Sequence, residues 1–500
     1  MSRAYETLGT LLGEIADLES TMALLGWDEL VTMPARGATA RGEAMATLAK
    51  ITHERWTSPE LAAEVDAAAP EVAGLEVADP SRANVRLARK EIERRSRIPA
   101  DLAAAIARHS SAAYAIWVDA KTRSDFAAFA PALQEMVDLQ KRVIDCFPAQ
   151  AHPYDTLLDL NDLEYTTAEL STLFAGMKRG FAPIIGLIAE RQDPARTAIW
   201  SGDFPIERQK ALGLEFARAF GYQDDSWRFD ETVHPFETAM SMHDVRITTR
   251  YRRDDLSYAF FATLHETGHG LYEDGVDPAL ARTPAGHGGT LDMHESQSRM
   301  WENLVGRSEA FWEWATPIFR RHFPDAYGSA TPEAFYRAAN AMQPSLIRVE
   351  ADESTYNMHI MLRFELEQAL FSGDLAVADL PGAWAEKMRE YLGLTPPDDA
   401  RGVLQDVHWS VGAMGTFVGY SLGNVIGAQL WSLIQRDLPG LDAGFAAGDF
   451  APLRGWLRDN IHAHGRCLGT KATLARLGIE ALDAEPLQAS IAARAHELYG

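Results

Sequence analysis

Apolar residues recur three and four positions apart along most of this 500-residue chain, the spacing that gathers them on one face of an α-helix. Ala83 to Arg97 and Asp101 to Thr122 carry the pattern plainly, in stretches rich in Ala, Leu, Glu and Arg. A mainly α-helical protein is therefore expected. Strict alternation is rare and is clearest over residues 243–251, where Val245, Ile247 and Thr249 alternate with Asp244, Arg246 and Thr248. That predicts one strand, which either pairs an extended peptide along a sheet edge or belongs to an ordinary small sheet. A helix follows it, with Phe260, Phe261, Leu264, Leu271 and Tyr272 as apolar positions and Gly275 as its stop. Trp409 to Gln435 has no formal charge and has glycines at 415, 419, 423 and 427. A closely packed core helix is favoured there over a membrane span, because Ser421, Asn424, Gln429 and Ser432 interrupt the apolar run. No long Ser/Gly/Pro linker or repeat divides the chain. One domain over residues 1–500 is expected, with a helical region over about 1–230 and a motif-bearing region over about 231–435.

The 71 acidic against 47 basic residues give a formal charge of -24. Such a surface repels phosphate backbones and anionic headgroups, which argues against nucleic acid or membrane as partner and for a soluble, cytoplasmic protein. Two cysteines, Cys146 and Cys467, are too few for a disulfide framework and read as thiols of a reducing compartment. The N-terminus lacks a basic segment followed by an apolar run, so no secretory signal is expected. Any metal site must be built from His and carboxylate side chains.

His265, Glu266 and His269 form an HExxH string. Residues four apart share a helix face, so the two imidazoles can meet one ion while Glu266 stands beside it. The competing reading is a pair of satisfied core histidines and a surface carboxylate. A catalytic zinc takes three protein ligands and leaves a position for water. Glu295 is the favoured third ligand, because it follows the glycine-bearing turn 285–289 at the start of a second helical stretch, 293–302. His294 is its rival; adjacent helix positions diverge by about 100°, so one of the two points at the ion. Zinc lowers the pKa of its water to about 7, and Glu266 can take the proton as that water attacks a carbonyl and pass it to the leaving amine. Hydrolysis of a peptide bond is the chemistry expected.

Further strings narrow this: His234-Pro235-Phe236, Asp244 to Thr248, His294 to Gln297, Ile347-Arg348 with Ala351-Asp352, and Gly402 with Gln405-Asp406, His408 and Trp409. With these, with the HExxH string, and with Gly26-Trp27-Asp28 and Met33-Pro34 near its start, the chain resembles the carboxypeptidase Taq family almost throughout. The resemblance implies a mostly helical single domain with a deep groove and a small sheet beside the HExxH helix. It implies a homodimer that removes C-terminal residues from peptides with broad specificity, with zinc or cobalt as its metal. It also implies His265, His269 and Glu295 as ligands, Glu266 as base, and Arg348 as the partner of the substrate's terminal carboxylate. A guanidinium fork is suited to that carboxylate; the alternative for Arg348 is an ion pair with Glu350 or Asp352. Tyr420, His234 and His408 stand in family strings as candidates for holding substrate or stabilising the oxyanion, and Arg246 as a strand residue beside the groove; each could equally be structural. Asp352 and Asp406 are candidates for orienting the ligand histidines, with helix caps and ion pairs as the alternative. Gly286, Gly288 and Gly289 are candidates for close backbone approach to substrate. Two other functions remain open: an oligopeptidase that cuts internal bonds, and an inactive peptide-binding scaffold.

Overall fold

The computed structural model describes residues 3–191 and 193–500. Helices dominate, and the chain forms two compact units. The first comprises the residues up to Ser96, Ala195–Ala339 and Leu430–Ala481; the second comprises Arg97–Pro194, Asn340–Gln429 and Leu482–Gly500. The two helices most plainly predicted are present as Pro80–Arg97 and Ala100–Arg123.

The first unit holds a three-stranded sheet of β1 (Trp227–Glu231), β2 (Glu237–Ser241) and β3 (Asp244–Thr249) in the order β1-β3-β2. β3 is the predicted strand. It lies parallel to β1, with Val245 opposite Trp227, and antiparallel to β2, with Ile247 opposite Glu237. Both of its edges are thus taken, and the expectation that this strand pairs an extended peptide is corrected: its ladder groups already belong to β1 and β2. Its alternation has the second predicted use, burying Val245 and Ile247 completely.

Helix α1 (Leu256–Asp274) packs on β2 and β3. It starts at Asp255, whose side chain accepts from the Ser257 backbone N–H at 2.9 Å, a typical N-cap. Phe260 joins Phe216, Phe311, Trp312, Phe319 and Phe335 in an aromatic core, with ring centroids 4.9 Å apart for Phe260–Phe319 and 5.0 Å for Trp312–Phe335. Helix α2 (Leu291–Arg299) packs against α1 and runs into a π-helical turn, Met300–Val305. Gly268 makes this packing possible. A Cβ there would stand 2.7 Å from Ser298 Cα and 2.8 Å from the Gln297 carbonyl oxygen, so the two backbones touch where any side chain would separate them.

In the second unit, helix α3 (Glu353–Ser372) is buried on nearly every side. Its Glu367 carboxyl is tolerated there because it accepts from Tyr154 Oη at 2.5 Å, Trp409 Nε1 at 2.7 Å and the Gly415 N–H at 3.0 Å. The uncharged segment 409–435 is not one helix. Gly412 and Gly415 adopt φ of +77° and +83°, and helix α4 (Phe417–Asp437) begins only after them. Two of the polar residues that counted against a membrane span are satisfied inside the core: Ser421 Oγ and Asn424 Nδ2 both donate to Asn357 Oδ1, at 2.9 and 3.1 Å.

Candidate active site

α1 presents His265 and His269 on one face, with ring centroids 4.9 Å apart. α2 brings Glu295 to them. Its Oε2 lies 3.7 Å from His265 Nε2 and 3.5 Å from His269 Nε2. Three donors about 2.1 Å from a tetrahedral ion are separated from one another by roughly 3.4 Å, so these atoms fit a common divalent cation. No other group of described His, Cys, Asp and Glu residues converges in this way. Glu295, not His294, is the residue that α2 turns toward the two Nε2 atoms.

The atoms behind the donors fix their protonation. His265 Nδ1 is 2.9 Å from Glu302 Oε2; a carboxylate only accepts, so Nδ1 carries the proton and Nε2 keeps its lone pair. Arg299 ties the glutamates together, donating from Nε to Glu295 Oε1 at 2.8 Å and from Nη1 to Glu302 Oε2 at 3.1 Å. Arg307 reaches Glu302 Oε1 at 3.6 Å. Burial alone would raise the Glu295 and Glu302 carboxyls. Arg299 and the histidines instead hold Glu295 well below the usual range and, with Arg307, bring Glu302 down to about 2. Burial brings His269 down to about 3, leaving it a neutral donor. At His265 burial acts to lower the pKa, but Glu295, Glu302 and Glu266 outweigh it and raise it. Two imidazoles surrounded by this much negative charge make a candidate cation site.

Glu266 is 6% exposed. Burial pushes its carboxyl up to about 7, against the pull of His265, which suits a group that must both take and return a proton near neutrality. Glu237, at the start of β2, is a further carboxyl not singled out from sequence. Its Oε1 is buried without a hydrogen-bond partner, and burial, with Glu273 and Glu266 near, holds it well above the ordinary glutamate value. Glu302 and Arg299 were also missed, although a signal existed: 295, 299 and 302 are spaced four and three apart and share a helix face.

Arg348, Tyr420 and His408 are gathered in the second unit. Arg348 lies in a short 3-10 turn and is 6% exposed. It donates from Nε and Nη2 to Asp406 Oδ1 at 3.0 and 2.8 Å, and from Nη1 to Tyr356 Oη at 3.0 Å. Its partner is therefore Asp406, and neither Glu350 nor Asp352. Its guanidinium carbon lies 5.3 Å from the Tyr420 ring and 5.5 Å from the Phe417 ring. His408 Nε2 is 3.4 Å from Tyr420 Oη. Arg363 donates from Nε to Asp406 Oδ2 at 2.7 Å. Burial would raise the Asp406 carboxyl, and the two guanidiniums hold it well below the usual range.

The remaining candidates engage other protein groups. Asp406 serves these arginines and Asp352 caps α3, accepting from Ser354 N at 2.8 Å; the side chains behind His265 and His269 are Glu302 and His294. The turn glycines approach protein groups: a Cβ at Gly286 would meet the Leu280 carbonyl oxygen, and one at Gly289 the Tyr272 hydroxyl. Arg246 is engaged on β3, paired with Asp244 at 2.8 Å and with its guanidinium 4.3 Å from the Trp27 ring. His234 stands exposed on the loop between β1 and β2.

A family model described as carboxypeptidase Taq (M32) metallopeptidase matches residues 7–495. The chain is 40% identical to thermostable carboxypeptidase 1 of Thermus thermophilus, with 99% of each chain covered. It is 38% identical to carboxypeptidase 1 of Bacillus subtilis, with 91% of each covered. Among solved structures it is similar to an M32 carboxypeptidase from Deinococcus radiodurans, at 39% identity and a TM-score of 0.96, with 100% of each chain covered.

Proposed function

Because the chain belongs to the carboxypeptidase Taq (M32) metallopeptidase family, we propose that it removes single residues from the free C-terminus of peptides with broad specificity, using Glu266 as general base. The observation that carries this reading is the convergence of His265 Nε2, His269 Nε2 and Glu295 Oε2 beside a buried Glu266. The three donors would hold a divalent cation, zinc by preference for imidazole and carboxylate and cobalt as substitute, which when bound polarises water and the scissile carbonyl. Glu266 takes a proton from the attacking water on its carboxylate and delivers it to the leaving nitrogen. Arg299 and Glu302 keep Glu295 ionised and His265 in the Nδ1–H form throughout.

Arg348 supplies the specificity. It commits three of its five N–H donors to Asp406 and Tyr356, which leaves one on each terminal nitrogen, a pair that a carboxylate can bind as a fork. Asp406 and Arg363 hold its position, and the Tyr420 hydroxyl is a further donor for the same carboxylate. The acidic charge and the two free cysteines support a cytoplasmic setting, and the family resemblance supports a homodimer. The test is metal content with turnover: the purified protein should carry one divalent ion per chain, and Glu266→Gln should keep that ion while losing most hydrolysis of an N-blocked dipeptide. Parental turnover in Glu266→Gln would refute the assignment of the base.

A further inference from the structure

His294 stands outside the candidate donor group, yet its ring lies against His269, with centroids 4.7 Å apart and Nδ1 facing Nδ1 at 2.6 Å. On its other side His294 Nε2 is 3.0 Å from Glu273 Oε1. The same Glu273 oxygen accepts the Gly288 backbone N–H at 2.9 Å, and Oε2 faces the half-exposed His287 Nδ1 at 3.4 Å. Only one arrangement of protons satisfies these contacts. His269 Nε2 faces Glu295 and needs its lone pair for the cation, so Nδ1 bears the hydrogen and donates. His294 Nδ1 must then accept, which puts the His294 hydrogen on Nε2, where the carboxylate receives it.

The surroundings are shaped to keep this geometry. A Cβ at position 288 would stand 2.7 Å from the His294 ring and 2.8 Å from Glu273 Oε1, so the turn can close over the pair only with glycine there. The Tyr272 ring packs on His294, with centroids 5.1 Å apart. The two ligand histidines are thus backed differently. His265 meets a carboxylate directly, whereas His269 meets one through an intervening neutral imidazole.

We propose that His294 and Glu273 are positioning residues for the metal centre, forming a hydrogen-bonded relay that fixes the tautomer and ring orientation of His269. The inference rests on the reading of His265, His269 and Glu295 as the ligands. Groups behind a ligand histidine set its orientation and basicity, and their loss typically weakens metal binding about 10- to 100-fold. Glu302 thus acts on His265 directly, whereas Glu273 acts on His269 only through the inserted ring.

The experiment loads the full-length protein with cobalt(II) and reads two quantities: the dissociation constant, by competition with a chelator, and the visible ligand-field spectrum. His294→Phe keeps a ring and removes both nitrogens; it should weaken cobalt binding about 10- to 100-fold and shift the bands. His294→Asn returns an acceptor near the Nδ1 position and should recover binding to within about threefold of the parent. Glu273→Gln keeps an acceptor without the charge and should weaken binding and shift the bands less than His294→Phe does. Parental affinity and spectrum in His294→Phe would overturn the relay, as would His294→Asn behaving like His294→Phe. If far-ultraviolet circular dichroism shows His294→Phe to be unfolded, Glu273→Gln decides: parental affinity and spectrum overturn the proposal, and weakened binding with shifted bands upholds it. His265→Ala is the control for the site. Stoichiometric cobalt in the parent, lost in His265→Ala, upholds the ligand reading whatever the His294 variants do; cobalt retained by His265→Ala would refute that reading itself.

Discussion

Gly268→Ala places one methyl group between the two helices that carry the candidate metal ligands. The new Cβ would stand 2.7 Å from Ser298 Cα and 2.8 Å from the Gln297 oxygen, where ordinary contact begins at 3.4 Å. Both obstacles are backbone, so no rotamer change relieves them, and α2 must withdraw from α1 by about 0.7 Å (3.4 minus 2.7). Alanine gains about 1 kcal/mol over glycine in a helix interior, while overpacking of this kind costs about 1–3 kcal/mol. The net loss of stability is therefore modest, about 0–2 kcal/mol. Metal binding should suffer more. Ligand distances tolerate only about ±0.2 Å, and Glu295 sits three residues before Ser298 on the helix that moves. A fall in zinc affinity of at least about tenfold is expected, measured by chelator competition beside metal-free thermal melts. Gly176→Ala, in the helix Thr167–Glu190 with nothing within 4 Å of the new Cβ, is the matched control and should be neutral or stabilising by about 0.5–1 kcal/mol. If Gly268→Ala bound zinc as tightly as Gly176→Ala did, the argument that Gly268 sets the spacing of the ligands would fail.

Four further outcomes follow from the contacts. Glu302→Gln removes the charge behind His265 and should weaken zinc binding about 10-fold or more in a chelator titration; unchanged binding would deny Glu302 that role. Asp406→Asn leaves Arg348 and Arg363 buried without their carboxylate and should cost about 3–5 kcal/mol in denaturant unfolding. Because the folded Asp406 pKa is depressed, its stabilisation is complete above the unfolded value near 4 and is lost as pH falls through the folded value, so the Asn variant should lose less stability than the parent below pH 4. Glu237 has the opposite sign: its folded pKa is raised, so the parent loses stability as pH rises above the unfolded value, and Glu237→Gln should melt higher than the parent at pH 7 but not at pH 4. For activity, the base form of Glu266 requires deprotonation of a carboxyl at about 7, and a cation beside it pulls that value down; the acid limb of kcat/KM should lie at or below about pH 7, and an acid limb above pH 7 would contradict this base.

The helical class, the one clear strand and the two histidines of the candidate metal group are legible in the sequence because periodicity and the HExxH spacing are local signals. Glu295 is favoured over His294 by its place after the glycine-bearing turn; the structure adds that α2 turns it toward both Nε2 atoms. What was not legible depends on packing between distant segments. β3 looks like any half-buried strand, and nothing local shows that β1 and β2 occupy both its edges. Nothing local shows the partners of Asp406, because Arg348 and Arg363 stand 58 and 43 positions earlier. Gly415 fits a small-residue helix face by its spacing and instead, with Gly412, bends the chain before α4, a distinction that rests on φ and not on composition.

The central claim is that the enzyme reads a free C-terminus, and the most direct measurement compares kcat/KM for one N-blocked peptide as the free acid and as its C-terminal amide. A charge-assisted hydrogen bond contributes about 1.5–3 kcal/mol, so the acid should be cleaved about 10- to 150-fold faster, with that preference collapsing in Arg348→Lys. Equal rates on acid and amide would contradict the account, since hydrolysis would then proceed without any recognition of the chain end.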